Sequence, residues 1–316
     1  MTWVAWVALA GQPLLVDLFL LAPLVLAPLV LRSLLVEDVA TSSAVRIAVW
    51  MQLPAALLGV LGFVIEPGPL AAGLTVPWLG LTLVTATRSA LHVAQRRTLG
   101  PISAFSIDAA LVFVLVGAGW WTLARLGVQP LGFSPTIVFL TAVHFHYAGF
   151  ALPVLAGLGV RHLGTADAKL AAAGVVIGVP LVAIGITVSP ALELAAAGIT
   201  ALAAALVGLV QIRYATIRSR QGVSGPERRA AALLVVSGLC AWTAMGLAAA
   251  YAIGEYVQRP WPNVAQMIPT HGALNALGFS LLGLWAWNLE HPDDPEAPPQ
   301  PPTPHDHDEA DPARDD

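Results

Sequence analysis

LAAAGVVIGVPLVAIGITVS, residues 170–189, carries no ionisable side chain over twenty positions. At 1.5 Å per residue a helix of that length is about 30 Å long, the thickness of a bilayer's hydrocarbon core. The run is continuously apolar and does not alternate, which excludes a β-barrel strand. Outward from it, the chain repeats the same texture almost to its end. Hydrophobic residues make up 57% of the 316 residues and charged residues 11%, against roughly 25% charge in an ordinary soluble domain. Mean hydropathy is +0.75. Length alone suggests about two globular domains at roughly 150 residues each, and the composition overrules it. The reading is an all-α, polytopic transmembrane helical bundle.

Nine spans are expected, at about 12–31, 45–64, 71–91, 103–123, 134–158, 170–189, 192–212, 230–252 and 267–288. Basic residues check that division independently. The odd-numbered loops hold Arg32, Arg46, Arg88, Arg96, Arg97, Arg161, Lys169, Arg213, Arg218, Arg220, Arg228 and Arg229, while the even-numbered loops hold Arg125 and Arg259. The positive-inside rule then places the odd loops and the C-terminus in the cytoplasm and the N-terminus outside. The expected location is a membrane that borders the cytoplasm. The opening MTWVAWVALAGQPLLVDLFL lacks a positive leading region and stays apolar past position 30, so it is read as an interfacial segment and a first span, not a signal peptide.

Two domains of unequal kind follow: a transmembrane body over 1–288 and a Pro-rich acidic cytoplasmic tail over 289–316. About half of the 19 acids lie from Glu290 on. Such a tail buries too little apolar surface to fold alone, and His305 and His307 within it are read as parts of a solubilising segment. Lys169 is the sole lysine and no basic stripe interleaves with aromatics, so nucleic acid is not an expected partner. Cys240 is the sole cysteine, which rules out an intrachain disulfide and is read as a packing residue.

Polar groups at membrane depth carry the functional information. TAVHFHYAGFALP, residues 141–153, places His144 about ten residues, or about 15 Å, into a span that Ser134 caps with Pro135 in its first turn. His144 and His146 are two apart, so a regular helix points them about 200° from each other. Either each faces a different neighbour, or Gly149 and Pro153 accompany a break. PTHGALNALGF, residues 269–279, sets His271 and Asn275 on one face, one turn apart. Asp17, Gln52, Tyr251 and Glu255 approach from the same half of the membrane. Thr85, Arg88, His92 and Asp108 form a second group in the other half, where Arg88 and Asp108 are read as a structural ion pair. Trp120–Trp121 is read as an interface anchor.

The segments HFHYAGFALP and THGALNALGF resemble those of the YndJ-like family of bacterial integral membrane proteins. The resemblance carries over His144, His146 and Tyr147 from the first, and His271, Gly272, Asn275 and Gly278 from the second. It implies a multi-span architecture and brings no substrate class with it.

The function these residues suggest is an intramembrane enzyme acting on a lipid or isoprenoid-like substrate by His and carboxylate acid–base chemistry, an isomerisation or cyclisation. The candidate catalytic residues are His144, His271, Asn275, Asp17, Glu255, Tyr147 and His146. Expected partners are the lipid bilayer and a hydrophobic or amphiphilic small molecule. Two alternatives stand beside this one. The same groups serve a proton-coupled small-molecule transporter or exporter, or they hold haem, zinc, iron or copper. No HExxH or CxxCH motif selects a cofactor.

Overall fold

The computed structural model describes residues 13–35, 43–96, 100–259 and 261–290. The amino-terminal interfacial segment and the acidic tail with His305 and His307 lie outside the described residues. Among those described, the helices group into nine rods. α1 joins Leu14–Leu21, a π-helical turn Ala22–Leu26, and Ala27–Leu35. α2 is Ser43–Leu61, α3 Pro69–Arg96 and α4 Ile102–Leu126. α5 joins Pro135–His146, a π turn Tyr147–Ala151, and Leu152–Leu163. α6 is Ala166–Val188, α7 Pro190–Arg220 and α8 Gly225–Tyr256. α9 joins Val264–Met267, π turns Ile268–Gly272 and Leu274–Leu281, and Leu282–Glu290.

Seven of these rods (α1 and α3 to α8) are long and apolar enough to cross a membrane. α2 offers a shorter apolar stretch, Arg46–Leu61. α9 is interrupted by its π turns. The result is a polytopic bundle with seven candidate spans.

The ends follow from local chemistry. Ser134 accepts the Ile137 amide at 3.4 Å with Pro135 in the first turn of α5, as its spacing predicts. Ser189 is extended, ends α6, and caps α7 through the Leu192 amide. Asn263 and Gln266 bond reciprocally at the start of α9. Gly127 and Gly164 close α4 and α5 at positive φ, where a Cβ is disfavoured.

α3 packs along α4, and α6, α7 and α8 pack in sequence. Close approach of α7 and α8 depends on Gly208 and Gly238: a Cβ on Gly238 would lie 2.5 Å from the Gly208 carbonyl. Small residues at such crossings let backbones meet. Cys240 packs against Gly278, where a Cβ would come 2.5 Å from its Sγ.

The Trp120–Trp121 pair departs from expectation. Trp121 is fully buried, edge-on to Phe19 at 4.8 Å and stacked on Phe63 at 5.9 Å. Trp120 instead tilts against Phe133. Neighbouring residues on a helix point about 100° apart, so the two rings do not share one anchoring role.

Candidate functional site

Pro23 sets the site's geometry from α1. It has no amide hydrogen, so the Phe19 carbonyl loses its regular helical donor. The Ala22 amide turns to Phe19 instead, and the chain passes through a π turn. The Leu18 carbonyl accepts the Tyr147 hydroxyl of α5 at 2.5 Å, and the Pro23 carbonyl accepts the buried Gln52 amide of α2. Backbone groups released inside a membrane bundle need such partners.

α5 carries its own break. The π turn at Tyr147–Ala151 follows His146 directly, and the carbonyl of Pro153 accepts the Ser106 hydroxyl at 2.8 Å. The π turns of α1 and α5 both touch those of α9, and the first segment of α1 packs on Ile268–Gly272. Three interrupted helices therefore meet in one region. π turns recur at functional sites because they re-aim side chains.

The two histidines of α5 part as their spacing requires. His146 is fully buried. Its Nδ1 lies 2.8 Å from the Ala142 carbonyl, so Nδ1 carries the hydrogen and donates. Its Nε2 then accepts the Trp78 indole N–H at 3.2 Å. Phe19 at 5.0 Å and Trp121 at 6.2 Å stand edge-on to the ring. Gly117 makes room, since a Cβ there would lie 2.7 Å from the His146 Nδ1. Both ring nitrogens are satisfied, and the ring ties α1, α3, α4 and α5 together.

His144 faces the other way. It lies close enough to His271 for a charge on one ring to be felt at the other. Its Nε2 is buried and has no hydrogen-bond partner. His271 is held on both sides: Nδ1 donates to the Ala244 carbonyl of α8 at 2.9 Å, leaving Nε2 to accept from Asn275 Nδ2 at 3.1 Å. Asn275 Nδ2 is also 2.9 Å from the His271 carbonyl. The pair thus combines one clamped neutral imidazole with one whose buried nitrogen is open.

The carboxylates are placed differently. Asp17 is half-buried on α1, one residue from Leu18. Leu18 itself meets Tyr147 through its carbonyl and Gly272 through its side chain. Glu255 does not join the histidines. It is exposed and lines a cleft of about 280 Å³ with Tyr251, Gln258, Asn263 and Val264. It lies eleven residues beyond Ala244 on α8, about 16 Å along the axis, too far to orient His271.

On the opposite half, His92 of α3 lies 3.4 Å from Asp108 of α4, with side-chain exposures of 39% and 11%. This is a partly buried histidine–aspartate pair distinct from the aromatic cluster. Among the described residues no group of three or more His, Cys, Asp or Glu is arranged to hold a metal ion. The sequence reading did not find the Phe19–Trp78–Trp121 enclosure of His146.

A helical bundle with these spans is an integral membrane protein of the kind found in the bacterial cytoplasmic membrane. The chain belongs to the YndJ-like protein family, whose profile matches residues 17–279, a stretch that holds His144, His271 and Asn275. A Bacillus subtilis (strain 168) protein named Uncharacterized membrane protein YndJ is 29% identical to it over 239 residues, covering 75% of this chain and 41% of that protein. The chain therefore spans about two fifths of the length of the curated relative it matches. No solved structure matches it.

Proposed function

We propose that the chain is an intramembrane enzyme that acts on a lipid or isoprenoid-like molecule by acid–base chemistry at His144 and His271. The observation that carries this reading is the buried, unpartnered Nε2 of His144 beside a second imidazole. A structural histidine is expected to satisfy both nitrogens, as His146 does, because an unpaired polar atom in an apolar interior costs stability. An open nitrogen suits a group that takes a proton from a bound molecule. An isomerisation or cyclisation needs one proton removed and one returned, with no change of oxidation state. His144 Nε2 takes the proton as the base and returns one as the acid, with His271, held by Ala244 and Asn275, beside it as the second imidazole.

In this reading Asn275 is a positioning residue that holds the His271 ring, and Tyr147 fixes α5 to α1. Asp17 offsets positive charge on the histidines from α1. His146 holds the scaffold. The substrate reaches the pair from the lipid phase, where such molecules partition.

The finer topology belongs to the same proposal: nine spans, counting α2 and α9, with the N-terminus outside and the C-terminus in the cytoplasm. The transmembrane body covers 1–288 and the acidic tail 289–316. The basic loops support this orientation.

A proton-coupled transporter is the second reading. It is favoured by one observation, the meeting of Pro-linked breaks in α1, α5 and α9, since transporters bind solutes where spanning helices are interrupted.

Comparative lipid and isoprenoid analysis of cells lacking the protein, and of cells complemented with wild type, His144→Phe or His271→Phe, tests the enzyme. One substrate–product pair shifts on deletion and is restored by wild type alone. Equal restoration by both variants overturns the proposal.

A further inference from the structure

The Glu290 end of the bundle gathers basic side chains from neighbouring rods. α6 carries Lys169 near its start, α7 ends with Arg213, Arg218 and Arg220, and α8 begins with Arg228 and Arg229. Ion pairs tie these ends together. Arg213 pairs with Asp167 of α6. Arg218 reaches Glu227 of α8 at 2.7 Å and Glu290 of α9 at 3.2 Å. The Tyr214 hydroxyl donates to the same Glu290 oxygen at 2.7 Å. The acids at this end of α6 to α9 are Asp167, Glu227 and Glu290, and each is engaged in one of these pairs.

That leaves positive charge over. Arg220, Arg228 and Arg229 are exposed and make no ion pair with another described residue. Arg228 and Arg229 are adjacent, and only the turn 221–224 separates them from Arg220 in the chain. Like charges held so close make a rim that attracts anions.

The sequence supplies the anion at the right place. Glu290 is the last described residue, and its side chain is 2% exposed and fixed on Arg218. HPDDPEAPPQ, residues 291–300, follows it directly. Nine acids and one arginine lie beyond Glu290. Asp293, Asp294 and Glu296 come three to six residues after the fixed point, a reach of at most about 10–21 Å for an extended chain. Arg220 is two positions from Arg218, and Arg228 and Arg229 directly follow Glu227, which Arg218 also holds. A segment tethered beside its partner meets it at an effective concentration on the order of millimolar.

We infer that Asp293, Asp294 and Glu296 dock on the rim formed by Arg220, Arg228 and Arg229, closing the acidic segment over the Glu290 end of the bundle as an electrostatic clasp. One exposed ion pair contributes little, but several charges on one tether act together. The clasp covers arginines that would otherwise meet the phosphates of anionic lipids. Salt opens it, because the screening length falls from about 10 Å at 0.1 M to about 3 Å at 1 M. The clasp is independent of the histidine chemistry.

The test measures the distance between two spin labels on the full chain in phosphatidylcholine nanodiscs. Cys240→Ala removes the sole cysteine. Ser224→Cys and Ala297→Cys then place one label in the α7–α8 turn and one just past the acids. Ser224 makes no side-chain cap bond, so its replacement leaves the start of α8 in place. At about 0.1 M salt a short, narrow distance population is expected, shifting to a longer and broader one at about 1 M. Arg220→Gln, Arg228→Gln and Arg229→Gln combined produce the same shift without added salt, while Arg259→Gln at the other end of α8 produces none. With phosphatidylglycerol mixed into the nanodisc the tethered acids keep the rim and the short population persists. A distribution that neither salt nor the triple variant moves overturns the clasp. Loss of the short population in phosphatidylglycerol assigns the rim to lipid headgroups and overturns it as well.

Discussion

The Tyr147 hydroxyl donates to the Leu18 carbonyl at 2.5 Å, joining positions 129 apart in the chain. This bond exists because Pro23 diverts the local amides of α1, and it locks the π turns of α1 and α5 at one level. Tyr147→Phe removes the donor and keeps the ring. An unsatisfied buried carbonyl in a soluble core costs about 1–3 kcal/mol, whereas interhelical bonds in membrane bundles average about 0.6 kcal/mol. The carbonyl has no regular helical donor to return to, so the expected loss is about 1 kcal/mol, measured by reversible unfolding in mixed micelles. A variant as stable as wild type would show that α1 and α5 are held by packing alone.

Gly117 and Gly119 are two residues apart on α4 and have opposite tolerances. A Cβ at 117 meets the His146 ring and the Phe145 Cβ at 2.7–3.0 Å, while nothing lies within 4 Å of one at 119. Gly117→Ala is expected to cost about 1–3 kcal/mol through overpacking. Gly119→Ala is expected to be neutral or to stabilise by up to about 1 kcal/mol through helix propensity. Thermal unfolding of the two variants side by side reads the difference. Equal midpoints would place the His146 ring elsewhere.

The tautomers of two histidines are fixed by their carbonyl partners. His146 and His271 both donate from Nδ1, to Ala142 and Ala244. Nitrogen-15 spectra of the imidazole rings are expected to show Nδ1–H with an unprotonated, hydrogen-bond-accepting Nε2 for both at neutral pH. In Asn275→Leu the His271 ring keeps this tautomer but its Nε2 resonance moves, because the donor at 3.1 Å is gone. A protonated Nε2 on His271 in wild type would exclude the bond to Asn275 as described.

Much of the fold was legible in the residues, because charge is so scarce that arginine positions mark the helix ends. The Ser134 cap, the turn at Ser189 and the divergence of His144 from His146 followed from spacing alone. The pairing of His271 with Asn275 followed from the helical repeat. The enclosure of His146 did not, since Phe19, Trp78 and Trp121 come from three rods whose mutual rotation no local pattern specifies. The depth of Glu255 was not legible for a related reason. Membership in the same half of the membrane does not fix depth, and about 16 Å of helix separates it from the His271 contact. The bonds of Glu290 to Tyr214 and Arg218 were hidden because Glu290 reads as the first acid of the tail, while its partners lie on a helix more than seventy positions earlier.

The central claim is that His144 is placed for chemistry and His146 for structure. The most direct test is the unfolding free energy of His144→Phe compared with that of His146→Phe in the same micelles. His144→Phe removes a buried nitrogen that has no hydrogen-bond partner, so it is expected to leave stability unchanged or to raise it. His146→Phe strips the Trp78 indole and the Ala142 carbonyl of their partner and is expected to cost about 1–3 kcal/mol. A His144→Phe variant destabilised as much as His146→Phe would contradict the account, making both rings structural.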